Sequence, residues 1–247
     1  MAIKHLALPV RLAFKNKQEI AKNVYAFYFT ATTPFKWKAG QHGFFEVPLA
    51  NGKTGRRPFS ISSAPEENII AFTTRINPEH ASAFKQSLLK LKKGAEVKLR
   101  GPIGPLHIKP GDKKYAFLAT GIGITPFRSI IKDLSGKKAE DKITLFYVGN
   151  KDNHFFRDDL SEAKMALPNF SIEYIYKPER ITGHSIEDVL GLELKETTFF
   201  LSGSSIKVKS YRRTLQGLGV PRKQIKSDTF YHIRRPNIIS KKQAPQT

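Results

Sequence analysis

The sequence predicts a two-domain chain: an antiparallel β-barrel followed by an α/β domain with a parallel sheet. Three observations carry that expectation. Residues 8–75 read as short strands with no helix between them, residues from about 115 to 230 alternate strand with helix, and a Gly/Pro-rich stretch, GPIGPLHIKPGD, separates the two patterns. Repeated strands without helices favour a barrel or sandwich, whereas strand–helix alternation implies parallel pairing, because parallel strands need a crossover connection. A length of 247 residues suits one large domain or two ordinary ones. The boundary is placed near 110, giving domains 1–110 and 111–233 and a tail, 234–247.

In the first half the expected strands are 8–14, 24–31, 43–49, 57–62 and 69–75. All are short and rich in β-branched and aromatic residues, and Thr33-Pro34, Asn51-Gly52 and Ala64-Pro65 mark turns between them. A helix is expected after Ser82, over 82–92, because Phe84, Leu88 and Leu91 recur at i, i+4 and i+7 and Gly94 follows. A strand over 96–100 closes this half. The second half reads as strand 115–120, a helix from Thr125, strand 143–148, a helix near 155–166 and strand 171–176. A short helix near 185–190, strand 198–202, a helix near 205–217 and a last strand, 225–230, complete it. The tail RRPNIISKKQAPQT is polar, basic and aperiodic, and is expected to be disordered.

Composition narrows the chemistry. With no cysteine, disulfides, thiolate iron–sulfur clusters and cysteine nucleophiles are excluded, which suits a reducing compartment. The seven histidines are widely spaced and no HExxH or HxH pair occurs, so no metal site is expected. The apolar run from Tyr115 to Phe127 is broken by Gly121, Gly123 and Pro126 and falls short of the roughly 20 residues of a membrane helix. The N-terminus lacks a signal-peptide core, and a cytoplasmic protein is expected. Asn51-Gly52-Lys53-Thr54 imitates the end of a P-loop, but Val47 stands where its first glycine is required, and a hairpin turn explains it better. Asp158 and Asp159 are adjacent on a helix, point apart, and read as a solvated face.

Charge is the unusual feature: 42 Lys plus Arg against 21 Asp plus Glu, a net +21. Residues 1–110 hold 18 basic and 6 acidic side chains, residues 111–233 hold 20 and 15, and the tail holds 4 and none. Nucleic acid, anionic membranes and acidic proteins are all admissible partners for such a balance.

Three motifs carry chemistry. In ATGIGITPFRSIIKDL, Gly121 and Gly123 follow a strand, Thr125 reads as an N-cap, Pro126 as the first helical residue, and Phe127, Ile130, Ile131 and Leu134 as one apolar face. Free amides and the helix dipole at such a turn suit a pyrophosphate, so a dinucleotide is the natural guest. The second motif, Arg57-Pro58-Phe59-Ser60, offers a guanidinium for a phosphate, a planar ring for stacking and a hydroxyl. The third is Ser82, with Lys85 where a capping box would have Glu or Gln; that cation opposes the dipole but favours a bound anion.

Taken in order, RPFSISSAP, SAFKQSLLKLKKGAEVKLRGPIGPL, ATGIGITPFRSII, FFLSGSS and LGVPRKQIKSDTF make the chain resemble the ferredoxin–NADP reductase family of flavoproteins over about residues 8–231. The resemblance implies an FAD-binding barrel and an NAD(P)-binding α/β domain. It assigns Arg57 to the flavin phosphate, Phe59 to the place of a tyrosine stacked on the isoalloxazine, and Ser60 to the hydroxyl near flavin N5. Pro58 and Arg75 join this cofactor set, and Ser82 matches the turn at the FAD pyrophosphate. Gly121, Gly123, Thr125 and Pro126 match the loop under the NAD(P) pyrophosphate, and Ser202-Gly203 the pair beside the nicotinamide. Ser60 and Ser202 are thereby the expected catalytic pair. Glu79 stands where relatives carry Gly, Ser204 where they carry Pro, and Asp228-Thr229-Phe230-Tyr231-His232 replaces the usual terminal string that covers the flavin. Lys177 and Arg180, with Lys151, are the cations available for the 2′-phosphate of NADP in preference to NAD.

The implied activity is hydride exchange between NAD(P)H and FAD, with electrons passed to a separate acceptor. An acidic carrier such as ferredoxin or flavodoxin would suit the +12 of the first half. The alternatives are a basic nucleic-acid-binding protein on this scaffold and a flavin-binding protein without nicotinamide activity.

Overall fold

A computed structural model describes residues 8–109, 111 and 113–230. Its first half contains β1 (Val10–Ala21), β2 (Val24–Ala31), β3 (His42–Pro48), β4 (Thr54–Ser60), β5 (Ile70–Arg75), α1 (Ala83–Leu89) and β6 (Glu96–Ile103). The strands form one antiparallel sheet in the order β4-β3-β6-β1-β2-β5. This sheet curls into a half-barrel. Beyond β4, Ser62 N–H donates to Ala71 O of β5 at 2.7 Å, which brings the two edge strands together.

Phenylalanine fills the curl. Phe72 is fully buried, and its ring lies 5.2 Å from Phe27, 5.6 Å from Phe29, 4.5 Å from Phe45 and 4.3 Å from Phe59. Glu46 is buried on β3 and is held by Arg100 at 2.7 Å and Arg56 at 2.5 Å. Burial opposes its ionisation, but the two guanidiniums outweigh burial and hold its pKa below the usual value.

The second half contains β7 (Lys114–Thr120), α2 (Thr125–Gly136), β8 (Lys142–Gly149), α3 (Arg157–Ala166), β9 (Phe170–Tyr176), α4 (Gly183–Leu190), β10 (Thr198–Ser204), α5 (Ser205–Gly217) and β11 (Ile225–Phe230). The sheet is parallel throughout, in the order β11-β10-β7-β8-β9. Alternation along β7 feeds two cores. Tyr115, Phe117 and Ala119 pack with α2 and α3, whereas Ala116 and Leu118 pack with α4 and α5. The strand order reverses between β7 and β10, and open α/β sheets bind ligands in the crevice at such a switch point.

The structure corrects four expectations in detail. β1 extends to Ala21 because Asn16–Glu19, exposed and polar, still pair with β2 beyond an irregularity at Lys15. β4 begins at Thr54, so Ile61 and Ser62 have left the strand and turn toward Gln41 and Ala71. The first helix ends at Leu89 rather than 92. Asp159 is not on a solvated face: it accepts Arg128 Nε at 3.0 Å and Nη2 at 3.2 Å. The Asn51-Gly52 turn is the expected hairpin, with Gly52 at φ +76° and Leu49 N–H bonded to Lys53 O. The tail 234–247 lies outside the described residues. Among the described residues no helix is long and apolar enough to cross a membrane.

Candidate functional site

The cleft between the halves is built from two strand ends on each side. On the barrel side, β3 and β4 pair His42 with Ser60. On the other side, β10 and β11 pair Ser202 with Asp228. His42 Nδ1 lies 3.1 Å from Asp228 Oδ2, and this contact joins the two strand pairs across the cleft. Ser60 and Ser202 are therefore brought to one place. Both are buried, and neither Oγ has a hydrogen-bond partner. An unpartnered buried hydroxyl costs about 1–3 kcal/mol. Two of them flanking one cleft fit a bound group that supplies the missing partners.

The glycine turn meets Ser202 directly. A Cβ on Gly123 would come 2.5 Å from Ser202 O and 2.9 Å from Gly203 Cα, so only glycine permits this approach. Gly121 differs. It has φ +53°, and a Cβ there would meet nothing within 4 Å, which leaves open space above its backbone for a ligand oxygen. Its carbonyl accepts the Tyr147 hydroxyl at 3.0 Å, and that hydroxyl oxygen accepts Phe155 N–H at 2.9 Å. Burial raises the Tyr147 pKa, which keeps the proton on this bridge. Thr125 is not an N-cap. A 3-10 turn over Gly121–Ile124 runs straight into α2, Thr125 is its first residue, and its Oγ1 donates to Ile122 O at 3.1 Å. Pro126 becomes the second helical residue, and Thr125 and Pro126 are both buried.

The Arg57 motif reaches a second corner. The Arg57 guanidinium lies 5.8 Å from the Phe84 ring on α1, next to Ser82, whose Oγ accepts Lys85 N–H at 3.5 Å. Lys85 Nζ donates to Arg75 O at 2.5 Å. Burial lowers the Lys85 pKa, and the Arg75 charge lowers it further. Arg57, Ser82 and Lys85 thus share one cationic corner, a donor set suited to phosphate, whereas the Arg75 guanidinium lies 5.8 Å from the Phe155 ring of the other half and only its carbonyl meets Lys85. Pro58 is exposed on edge strand β4, where a missing N–H is harmless. Phe59 is half-buried; its ring stacks on Phe72 at 4.3 Å and lies 5.9 Å from Phe84, so its primary role is in the core. Lys177 and Arg180 are exposed beyond β9, with Lys177 N–H bonded to Gly149 O at the end of β8, and Lys151 is exposed in the turn that follows β8.

Sequence reasoning missed several residues here. His42 and Asp228 lie in different halves, and no spacing rule links them. Arg157 stacks 4.8 Å from the Tyr174 ring and donates to the Tyr176 hydroxyl at 2.8 Å, while Tyr176 stays 41% exposed at the carboxyl end of β9. Tyrosine at alternate positions of β9 was the available signal. Arg128 was read only as part of a helix. Tyr231 and His232, part of the segment that replaces the usual flavin-covering string, lie outside the described residues.

A glycine turn at the switch point of a parallel sheet, facing a barrel edge with a cationic corner, defines a two-domain dinucleotide-dependent flavoprotein fold. Comparison with known proteins agrees. Residues 11–108 match the oxidoreductase FAD-binding domain, and residues 117–205 match the oxidoreductase NAD-binding domain. Methane monooxygenase component C of Methylosinus trichosporium is 31% identical over 136 residues, 54% of this chain and 38% of that protein. The toluate 1,2-dioxygenase electron transfer component of Pseudomonas putida is 31% identical over 134 residues, 53% of this chain and 38% of that protein. The chain spans well under half the length of these two relatives. Ferredoxin-NADP+ reductase from Plasmodium falciparum superposes with a TM-score of 0.73 at 17% identity, covering 92% of this chain and 98% of that one, which is a likeness of fold. The chain is an oxidoreductase FAD-binding domain followed by an oxidoreductase NAD-binding domain, in a fold like that of ferredoxin-NADP+ reductase, and FAD and NAD(P) are its cofactors.

Proposed function

We propose that this chain exchanges a hydride between NAD(P)H and FAD and delivers electrons to a separate acidic carrier of the ferredoxin or flavodoxin class. The observation that carries the reading is the pair of buried, unpartnered hydroxyls, Ser60 and Ser202, on the two strand pairs that the His42–Asp228 contact joins. When bound, nicotinamide and flavin supply the two-electron exchange and the flavin the onward release of electrons. The protein's share is binding and orientation. Residues 1–110 would hold FAD, with Arg57 and Lys85 neutralising its phosphates, Ser82 beside them, Arg75 at the border with the other half near Phe155, Pro58 stiffening the strand and Phe59 offering a ring edge. Residues 111–233 would hold NAD(P), with the Gly121–Pro126 turn under the pyrophosphate. Ser60 Oγ–H and Ser202 Oγ–H would each make one hydrogen bond to the facing ring system, and Gly203 would leave room for it. Holding two rings in register is where much of the rate arises. Lys151, Lys177 and Arg180 favour NADPH over NADH by charge.

The nucleic-acid alternative needs aromatics interleaved with cations on the surface. Among the described side chains, Tyr176 is the one exposed aromatic, and most phenylalanines pack in or against the cores.

The test is anaerobic titration of the purified protein. A yellow protein bleached by NADPH, and more weakly by NADH, is expected, and its turnover with an acidic carrier should slow as salt rises. A colourless protein that refuses FAD sinks the reading, and salt-independent turnover sinks the acidic partner.

A further inference from the structure

Arg128 lies one turn inside α2, immediately beyond the glycine turn, and its side chain is 14% exposed. All three guanidinium nitrogens are used. Nη1 donates to Ser62 O at 3.0 Å and to Glu67 Oε2 at 2.5 Å, both on the barrel side. Nε and Nη2 form a fork on the Asp159 carboxylate of α3, and the plane lies 5.7 Å from the Phe156 ring. Glu67 is itself fixed, because its Oε2 also accepts Ala64 N–H at 2.6 Å. The next residue repeats the grip: Ser129 Oγ donates to Ser63 O at 2.6 Å and accepts Gly40 N–H at 3.3 Å. Two successive residues of the helix that begins at the nicotinamide-side turn thus hold Ser62 and Ser63, two and three residues after Ser60. Burial alone would lower the Arg128 pKa, and the Glu67 and Asp159 carboxylates more than offset it.

We infer that Arg128 is a positioning residue that fixes the glycine turn relative to Ser60, and so sets the register of the nicotinamide side against the flavin side. It touches neither reacting ring. Its fork is what lysine cannot reproduce, since an ammonium offers a point charge rather than planar bidentate geometry. The inference rests on the hydride-exchange reading. A displacement of about 1 Å between reacting groups can cost roughly 100-fold in rate.

The test compares wild type with Arg128→Lys and Arg128→Met, each loaded with FAD, by anaerobic stopped-flow reduction with NADPH. The expected result is unchanged FAD content and a half-saturating NADPH concentration within about threefold, with the limiting reduction rate down at least about tenfold in both variants. Scanning calorimetry of the FAD-free proteins gives an independent readout. Wild type should melt in one transition, and Arg128→Met should split into two as the halves uncouple. Should Arg128→Met not fold, Glu67→Gln, which cuts only the barrel-side arm, takes its place with the same expected rate loss. Reduction at wild-type speed with full flavin overturns the inference, as does a rate loss explained entirely by lost FAD. If wild type itself is not reduced by NADPH or NADH, the hydride-exchange reading fails, and the calorimetric splitting still decides whether Arg128 couples the halves.

Discussion

The two sides of the cleft are built from different materials. The barrel side is built from side chains, Ser60 at the strand end and Arg57 in the corner by α1, on a strand whose Phe59 packs into a stack of phenylalanines. The opposite side presents mainly backbone: Gly121, Gly123 and Gly203 all serve by lacking a side chain, two of them at positive φ. A site made of side chains depends on the core that orients them. A site made of backbone depends on what is absent, so it is sensitive to single added atoms and less sensitive to distant packing.

Core truncation should separate the two most strongly. Phe72 and Phe117 are both fully buried aromatic hubs; Phe117 stacks on Phe127 at 4.8 Å and on Phe200 at 5.4 Å. Either one replaced by Ala should cost about 3–5 kcal/mol in urea unfolding. Phe72→Ala also removes the ring on which Phe59 stacks, so its FAD content per chain should fall, while Phe117→Ala should retain flavin. Equal flavin loss from both variants would erase the distinction between the sides.

The glycines probe the backbone side at a smaller scale. Gly123→Ala forces a Cβ to 2.5 Å from a carbonyl oxygen, and overpacking of that kind costs about 1–3 kcal/mol and displaces Ser202. Gly121→Ala meets no atom; its cost is the left-handed backbone, roughly 1–2 kcal/mol, and a methyl in the space a pyrophosphate would enter. Gly121→Ala should therefore weaken NAD(P)H binding more than its stability loss predicts, with FAD unaffected. Calorimetric titration of NADPH into both variants decides it: binding equal to wild type in Gly121→Ala would remove that turn from the pyrophosphate.

The same contrast governs what the sequence could tell. Strand and helix order was legible because burial imposes periods of two and 3.6, and β2, α5 and β11 fall on the expected residues. Where burial stops, the signal stops: β1 runs five exposed residues past Phe14, held by backbone pairing that leaves no mark on composition. The glycine turn was visible because backbone chemistry selects its residues locally. Its detail was not, since a 3-10 turn displaces the cap from Thr125 through contacts with β10. His42–Asp228 and the Arg128 clamp were invisible for one reason: each joins residues far apart in sequence, and a lone histidine or arginine has no pattern until the halves dock.

The smallest expected effect concerns acid. Glu46, buried in the barrel, is held in its charged form by Arg100 and Arg56 against the opposing effect of burial, and its folded pKa lies below 4.5. An acid whose folded pKa is depressed stabilises the fold above its unfolded value, and that contribution drains away as pH falls through the folded one. Asp133 behaves oppositely. Burial raises its pKa, and the nearby Glu66 raises it further despite Lys137, so it takes a proton in the folded state before it would unfolded. The barrel half should therefore carry the acid sensitivity. Urea midpoints measured at pH 7, 5, 4 and 3 should fall below about pH 4.5 in wild type. Glu46→Gln should begin lower, because Arg100 loses its charged partner, yet decline less steeply over that window. A parallel decline in the two proteins would show that Glu46 is not the group through which the barrel half senses acid, and that the side-chain-built half is no more acid-sensitive than the other.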